Sequence, residues 1–271
     1  MHFSEKELTL QYQGFCQSKP LWINYLNKEL QQFDFQKTCN TEFKVKINSK
    51  LRLGKLVEQF VFNEFSFDAS IEILLQNIQI QDEKITIGEL DCILLQNKKP
   101  VHLEIVYKFY LYDKSVGETE IEHWIGPNRK DSFIQKYCKL IDKQLPLLYN
   151  PKTAETLKEH NLDVNEIEQK VYFKAQLFPH LNELNDEFDL INNDCIEGFY
   201  IYKDELKDFK NCKFYIPTKH NWLAIPHVNV SWENFDNFSR AVSECLEEKY
   251  APLCWLKKSN GIISKFFVVW W

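Results

Sequence analysis

The 271-residue sequence contains little glycine and proline, with 7 Gly and 9 Pro. This composition excludes collagen-like, mucin-like and linker-dominated chains. Long hydrophobic runs are missing as well, because no uninterrupted apolar stretch approaches the roughly 18 residues that a membrane span requires. The first residues are polar and acidic and lack the apolar centre of a signal peptide. We therefore expect a cytoplasmic protein that makes no contact with a membrane.

An excess of positive charge is also absent, because 39 Asp and Glu outnumber 33 Lys and Arg and the net charge is −6. The chain thus lacks the overall basic character of a protein that coats DNA. Arginine, the better bidentate ligand for phosphate, occurs only as Arg52, Arg129 and Arg240. Any contact with nucleic acid is therefore expected at a local basic patch.

Closely spaced cysteine pairs are missing, although the sequence holds eight cysteines. A thiolate zinc site requires such pairs, so none is predicted. Cysteines within apolar segments, such as Cys92, are typical of small buried residues in a reducing compartment.

Hydrophobic residues make up 44% of the chain and aromatic residues 15%, which is enough for a large, ring-rich core. Their spacing predicts both helices and strands. The predicted elements are a helix at 51–67, strands at 71–81, 85–95 and 101–112, a helix at 131–147, strands at 171–178, 196–202, 214–216 and 222–225, a helix at 235–250 and a final strand. A helix between two of these strands favours a parallel crossover. The fold class is therefore predicted as α/β, with a mixed β-sheet flanked by helices.

The strands at 85–95 and 101–112 form a predicted hairpin in which each strand has one charged face. Asp91 lies on the charged face of the first strand, and Glu104 and Lys108 share that of the second. A loop centred between Asn97 and Lys98 places Asp91 directly opposite Glu104, whereas a four-residue loop makes them diagonal neighbours. A loop centred on Lys98 itself separates the two acids onto different faces. Burial of both apolar faces together favours the first two registers.

Two carboxylates at such a separation repel each other unless a cation lies between them. Mg²⁺, or Mn²⁺ in its place, is held by one or two carboxylates and accepts phosphate oxygens of a substrate. Lys108 would add a positive charge that orients water or stabilises a developing phosphorane. The competing interpretation is a solvent-exposed sheet face that carries a cross-strand ion pair.

Four segments carry a resemblance to a known family: LGKLVE at 53–58, GELD at 88–91, HLEIVYKFYL at 102–111 and WIGPNRKD at 124–131. A helix with a glutamate, a hairpin with Asp and then Glu followed by Lys, and a crossover helix resemble the PD-(D/E)XK nuclease superfamily. More closely, the segments are similar to an uncharacterised bacterial family that is catalogued as a domain of unknown function and assigned to that superfamily.

The resemblance implies a single domain over residues 1–271, with a restriction-endonuclease-like core at about 46–205 and a C-terminal α/β extension at about 206–271. It implies that Asp91 and Glu104 are metal ligands and catalytic residues, and that Glu58 is an outer metal ligand.

The resemblance also implies that Lys108 is the catalytic lysine. The superfamily lysine usually lies two residues after the glutamate, where this sequence has Val106. Lys108 lies on the same face but about 6.6 Å further along, at ~3.3 Å per residue. Glu64 is an alternative to Glu58, because Glu64 falls within the apolar stripe of the helix and Glu58 falls about 130° away from it.

One further segment and two single residues are each open to two interpretations. Asn128, Arg129 and Lys130 precede a helix and are interpreted either as a phosphate-binding loop or as an ordinary capped helix start. Gln144 resembles the site glutamine of related nucleases, but its position favours a surface residue. His102 shares the face of Glu104, and we interpret it as a core or rim histidine rather than a ligand.

The sequence thus predicts a Mg²⁺- or Mn²⁺-dependent nuclease that hydrolyses phosphodiesters of DNA or RNA with Asp91, Glu104 and Lys108. The alternative is a catalytically inactive nuclease-fold protein that binds nucleic acid or a protein. A protein partner would use the aromatic C-terminal region, which contains Trp222, Trp232, Trp255, Trp270 and Trp271.

Overall fold

The structure, a computed structural model, describes residues 4–35, 42–45, 47 and 51–271. Cys39 and the start of the predicted core at 46 lie outside these residues. The described chain has a mixed α/β fold, as predicted. Its α-helices are α1 Glu5–Gln17, α2 Leu53–Phe65, α3 Glu120–His123, α4 Phe133–Lys139, α5 Pro151–Lys158 and α6 Phe235–Glu247. Its strands are β1 Tyr25–Leu26, β2 Leu30–Gln31, β3 Ile71–Asp82, β4 Ile85–Gln96, β5 Lys99–Tyr112, β6 Trp124–Ile125, β7 Glu168–Phe178, β8 Gly198–Tyr202, β9 Lys213–Tyr215, β10 Leu253–Lys257 and β11 Ile263–Val269.

The chain divides into two compact units, each built from separate segments. We call the one formed by Pro20–Tyr107 and Gln135–Lys174 the hairpin unit. We call the other, formed by Met1–Lys19, Lys108–Ile134 and Ala175–Trp271, the terminal unit.

The hairpin unit is organised around the antiparallel strands β3, β4 and β5, and β7 also pairs with β5. The turn between β4 and β5 consists of Asn97 and Lys98, with φ values of 51° and 68°. Two residues with positive φ match the right-handed twist of the flanking strands. Gln96 consequently pairs with Lys99, and the turn centre lies between Asn97 and Lys98. This is the first of the two registers that burial of the apolar faces favours.

Helix α2 is buried on almost all sides rather than along one stripe. Leu56, Phe60 and Val61 form part of the expected apolar face, but Glu58 and Glu64 are buried as well. The position of a carboxylate relative to the apolar stripe therefore does not decide its burial in this helix.

The predicted helix at 131–147 is wrong as a single continuous element. Helix α4 ends at Lys139 and is followed by a π-helical turn, Leu140–Gln144, and a 3-10 helix, Pro146–Tyr149. Pro146 has no backbone N–H, so an α-helix cannot continue through it without losing a hydrogen bond. The wider π turn changes the direction in which the last side chains project.

The terminal unit contains a four-stranded sheet in the order β8-β11-β10-β9. Strands β8 and β11 are parallel, and the other two pairs are antiparallel. Helix α6 packs on this sheet through Phe238, whose ring stacks on Phe214 at a centroid distance of 4.1 Å. The predicted strand at 222–225 is wrong, because Lys219–Trp222 is a 3-10 helix and no strand follows it before β10 in this fully described stretch.

Within residues 4–35, 42–45, 47 and 51–271, no helix has the length and apolar character needed to cross a bilayer.

Candidate acidic site

Asp91 and Glu104 lie on facing strands of the β4–β5 hairpin. The ladder pairs Cys92 with Leu103, so the next position along this register places Asp91 opposite Glu104. The backbone N–H of Ile105 donates to Asp91 Oδ2 at 2.9 Å, which ties the Asp91 side chain to the neighbouring strand. Glu104 is completely buried. The two acids therefore share one face, in agreement with the register of the turn.

The carboxylate of Glu104 is held from both sides. His102 Nε2 lies 3.1 Å from Glu104 Oε1, and Gln144 Nε2 donates to Glu104 Oε2. Gln144 accepts in turn from Lys136 Nζ at 2.5 Å. The prediction that Gln144 is a surface residue is wrong, because the π turn brings its amide to the buried carboxylate. His102 is a fully buried partner of Glu104, in agreement with a core position.

The tautomer of His102 follows from its second neighbour. Gln169 Nε2 donates to the carbonyl oxygen of Leu145 at 2.6 Å, which identifies it as the amide nitrogen. The same nitrogen lies 3.0 Å from His102 Nδ1, so Nδ1 must accept and cannot carry a proton. The ring is therefore neutral, and Nε2–H donates to Glu104. Each donor to Glu104 is oriented by an outer partner, as is common for residues that support metal ligands.

The two glutamates of α2 have different neighbours. Glu58 lies in the electrostatic neighbourhood of Glu104, whose charge contributes to raising the pKa of Glu58. Glu64 instead accepts from Tyr172 Oη at 2.9 Å and lies 3.6 Å from Lys174 Nζ. Glu58 is therefore the helix carboxylate of the acidic site, and Glu64 belongs to a separate buried ion pair.

Lys55 contributes a lysine that the sequence interpretation missed. Its Nζ donates to Glu58 Oε2 at 2.9 Å, to Asn77 Oδ1 at 2.7 Å and to Glu89 Oε1 at 2.6 Å. Burial acts to lower the pKa of Lys55, but the hydrogen bonds to Glu89 and Glu58 raise it overall, so the ammonium is charged at neutral pH. The signal is present in the sequence as Lys-x-x-Glu at 55–58, which places both residues on one helix face.

The acids of this site oppose one another's ionisation. Burial, and then the charges of Glu104 and Glu58, raise the pKa of Asp91 to about 7, against the hydrogen bond from Ile105 and the charge of Lys55. Burial likewise raises the pKa of Glu58 against the effect of Lys55. A cation among these carboxylates would relieve the repulsion.

The donor chemistry of Asp91 and Glu104 fits Mg²⁺ or Mn²⁺, because carboxylate oxygens suit these ions. Mg²⁺ needs only one or two protein carboxylates when water and phosphate complete its shell. Within the described residues, no group of three or more His, Cys, Asp or Glu side chains is arranged to hold a metal. The two hairpin carboxylates are therefore the donor set that fits the ion, and the role of Glu58 as an outer metal ligand stays a prediction.

The remaining predicted site residues have partners within the terminal unit or face solvent. Lys108 Nζ donates to Asp131 Oδ2 at 2.6 Å. Arg129 pairs with Asp113 and lies 4.1 Å above the ring of Trp271. Asn128 Oδ1 accepts from the backbone N–H of Ala251 at 2.8 Å. Lys130 is exposed. The predicted roles of these residues in catalysis and phosphate binding stay predictions.

Comparison with known proteins identifies a family. The model of the family described as Domain of unknown function (DUF1853) matches residues 9–269, nearly the whole chain. The chain belongs to this family. No curated protein and no solved structure matches it.

Proposed function

We propose that this DUF1853 protein is a metal-dependent nuclease with a core of the PD-(D/E)XK type. The supporting observation is the facing pair Asp91 and Glu104 on one hairpin. Glu104 is fully buried, Asp91 is partly buried, the charge of Glu104 contributes to raising the pKa of Asp91, and the glutamate of α2 lies beside them. The order of a helix, an antiparallel hairpin and a later strand that pairs with β5 agrees with such a core. Bacterial origin and a cytoplasmic location are part of this proposal.

Asp91 and Glu104 would hold the Mg²⁺ or Mn²⁺. The bound ion would polarise the phosphate and lower the pKa of a water molecule. Glu104 is kept in one orientation by His102 and Gln144, so the ligand is arranged before the ion binds. Lys55 supplies a fixed ammonium group, which can stabilise negative charge as it develops on phosphate. Glu58 positions Lys55 through a hydrogen bond.

Lys55 and Lys108 are both candidates for the functional lysine. Lys55 is favoured because its charge acts on the pKa of Asp91, whereas Lys108 pairs with Asp131. The substrate is proposed to be DNA or RNA, contacted through a local basic patch that includes Lys130.

The proposal is tested by incubating the purified chain with plasmid, single-stranded DNA and RNA in the presence of Mg²⁺ or Mn²⁺. We expect cleavage that is abolished by chelation and reduced by at least ~100-fold in Glu104→Ala and Asp91→Asn. Glu166→Ala removes an exposed acid of the hairpin unit and serves as the control. Equal cleavage by the wild type and both site variants would exclude the assignment.

A second candidate is an inactive nuclease fold that binds nucleic acid or, through its aromatic C-terminal region, a protein. It is supported by the two oxygens of Glu104, which already have protein donors. Calorimetric titration with Mg²⁺ separates the candidates. A functional metal site gives a heat of binding that Asp91→Asn removes, whereas an inactive fold gives no heat that depends on Asp91.

A further inference from the structure

Lys55 donates all of its ammonium hydrogens to oxygens of the protein. Its Nζ atom donates to Glu58 Oε2 at 2.9 Å, to Asn77 Oδ1 at 2.7 Å and to Glu89 Oε1 at 2.6 Å. A lysine ammonium has three N–H donors and no acceptor, so no donor is left for a phosphate oxygen. Lys55 therefore acts on a substrate through its charge and not through a hydrogen bond.

The three acceptors converge on Lys55 Nζ from three different elements of the hairpin unit. Glu58 lies on α2, Asn77 on β3 and Glu89 on β4. We call their three oxygens the cation cage. Two carboxylates and one amide carbonyl are also the kind of ligands that hard divalent cations take from proteins. The ammonium of Lys55 thus occupies a position whose oxygens suit a metal ion equally well.

The backbone at Asn77 has a conformation that is unusual inside a strand. Its φ is 52°, in the left-handed region, although both of its neighbours pair regularly with β4. Residues other than glycine are uncommon in this region, and asparagine is among those that tolerate it. Such residues cluster at functional sites, where the surrounding structure holds them in place. Strand β3 therefore carries a local backbone cost at the residue whose side chain accepts from Lys55.

The cation cage lies next to the proposed metal ligands. Glu89 and Asp91 are alternate residues of β4, so they project on the same side of the strand, with Cα atoms about 7 Å apart at ~3.4 Å per residue. In sites with two metals, the ions lie roughly 3.5–4 Å apart and stabilise the attacking and leaving oxygens. The positive charge of Lys55 opposes the entry of a second ion at this place.

From these contacts we propose that the Lys55 ammonium fills the second cation position of the acidic site, so that the site binds one divalent ion and not two. The inference rests on the proposed metal site at Asp91 and Glu104, whose ion stoichiometry it sets. Lys55 supplies the charge of the second ion as a permanent part of the fold, and the cation cage holds it in position.

Counting bound Mn²⁺ tests this proposal, because the electron paramagnetic resonance signal of free Mn²⁺ is lost on binding. The full chain should bind one Mn²⁺. Lys55→Ala removes the ammonium together with its stem and opens the cation cage, so the variant should bind a second Mn²⁺ with a Kd below ~1 mM. Lys55→Met removes the same charge but fills the same space, and should still bind one. Lys108→Ala removes the other candidate lysine and should also bind one.

Further substitutions trace the second ion to the cation cage. Lys55→Ala combined with Glu89→Gln or with Asn77→Leu should lose the second Mn²⁺. Lys55→Ala combined with Asp91→Asn should keep one Mn²⁺, bound in the cage, whereas Asp91→Asn alone should bind none. Because Lys55→Ala leaves two acids without their cation, Lys55→Ser provides a second variant with an open cage, and thermal unfolding verifies that each variant is folded.

Failure of this proposal differs from failure of the proposed function. The proposal is overturned if the wild type itself binds two Mn²⁺ ions, a count that needs no variant. It is also overturned if folded Lys55→Ala or Lys55→Ser binds no more Mn²⁺ than the wild type. A wild type that binds no Mn²⁺, with one ion bound by Lys55→Ala, would exclude the metal pair Asp91 and Glu104 but still assign the cage as a cation position.

Discussion

The side-chain amide of Gln144 donates a hydrogen bond to the buried carboxylate of Glu104, 40 residues away in the chain. It does so from the end of a π-helical turn, and π turns are frequent at functional sites. Together with His102, it fixes both oxygens of one acid while the facing acid, Asp91, keeps a strongly raised pKa. The two carboxylates of the site are therefore not equivalent.

Replacing Gln144 with alanine should lower the affinity of the site for Mg²⁺ by about tenfold or more, because an outer partner that orients a ligand is lost. Isothermal titration with Mg²⁺ measures this change. Asp142→Ala, an exposed position on the same π turn, is the matched control and should bind like the wild type. Unchanged affinity in Gln144→Ala would mean that the amide serves only to satisfy a buried carboxylate.

The hairpin and the shared face of its two acids were predictable because alternation along β4 and β5 sets which side chains share a face. The exact register was not, because burial of the apolar faces allows Asp91 to lie either directly opposite Glu104 or diagonal to it. The two-residue turn of Asn97 and Lys98 in the structure selects the first of these.

The partners of that pair were not predictable by the same reasoning. Gln144 reaches Glu104 only because the helix changes to a π turn, and periodicity at 3.6 residues carries no signal for this change. Glu58 is buried because α2 is enclosed by tertiary packing, whereas the helical stripe placed it away from the core. Distant contacts, rather than local propensity, decide both outcomes.

The raised pKa of Asp91 predicts a specific dependence of stability on pH. An aspartate in the unfolded chain has a pKa near 3.9, whereas that of folded Asp91 is about 7. Between these values the folded state binds a proton that the unfolded state does not. The free energy of unfolding should therefore fall as the pH rises from about 4 to about 7, and the contribution is constant above that.

Asp91→Asn removes the group that must ionise, and with it the loss of stability that ionisation of Asp91 causes. The free energy of unfolding of the variant, relative to that of the wild type, should therefore increase by roughly 2–4 kcal/mol as the pH rises from about 4 to about 8. Urea denaturation at several pH values measures the difference. Asp142→Asn, at an exposed position, should show a difference that is nearly independent of pH. Parallel curves for wild type and Asp91→Asn would contradict the raised pKa of Asp91 in the folded state.

The two lysines can be distinguished by paired substitutions. Lys55→Met removes the ammonium beside Glu58 and Glu89 and should reduce nuclease activity by about 100-fold, the loss typical for one electrostatic stabiliser. Lys108→Met removes a partly exposed ion pair with Asp131 and should leave nuclease activity almost unchanged. Its effect on the free energy of unfolding should also be small, since such pairs contribute about 0–1 kcal/mol. Initial rates of cleavage at saturating Mg²⁺ measure both. The reverse order of effects would assign the function to Lys108.

His102 should be neutral and protonated at Nε2, because Gln169 donates to its Nδ1. Long-range ¹H–¹⁵N correlation spectra report the tautomer directly. Gln169→Leu removes this donor and should destabilise the fold by about 1 kcal/mol while releasing the tautomer preference of His102. The exposed His160 provides an internal control, since its signals should not change. A wild-type ring protonated at Nδ1 would refute the proposed hydrogen-bond chain.

Two glycines in helices should respond oppositely to alanine. Gly54 lies in the first turn of α2, where an added Cβ atom would meet no atom within 4 Å, so Gly54→Ala should stabilise the protein by about 0.5–1 kcal/mol through helix propensity. Gly14 in α1 faces the backbone of Leu223, where a Cβ has no space, so Gly14→Ala should destabilise by about 1–3 kcal/mol. Thermal unfolding measures both. Stabilisation by both substitutions would show that α1 is free to move away from Leu223.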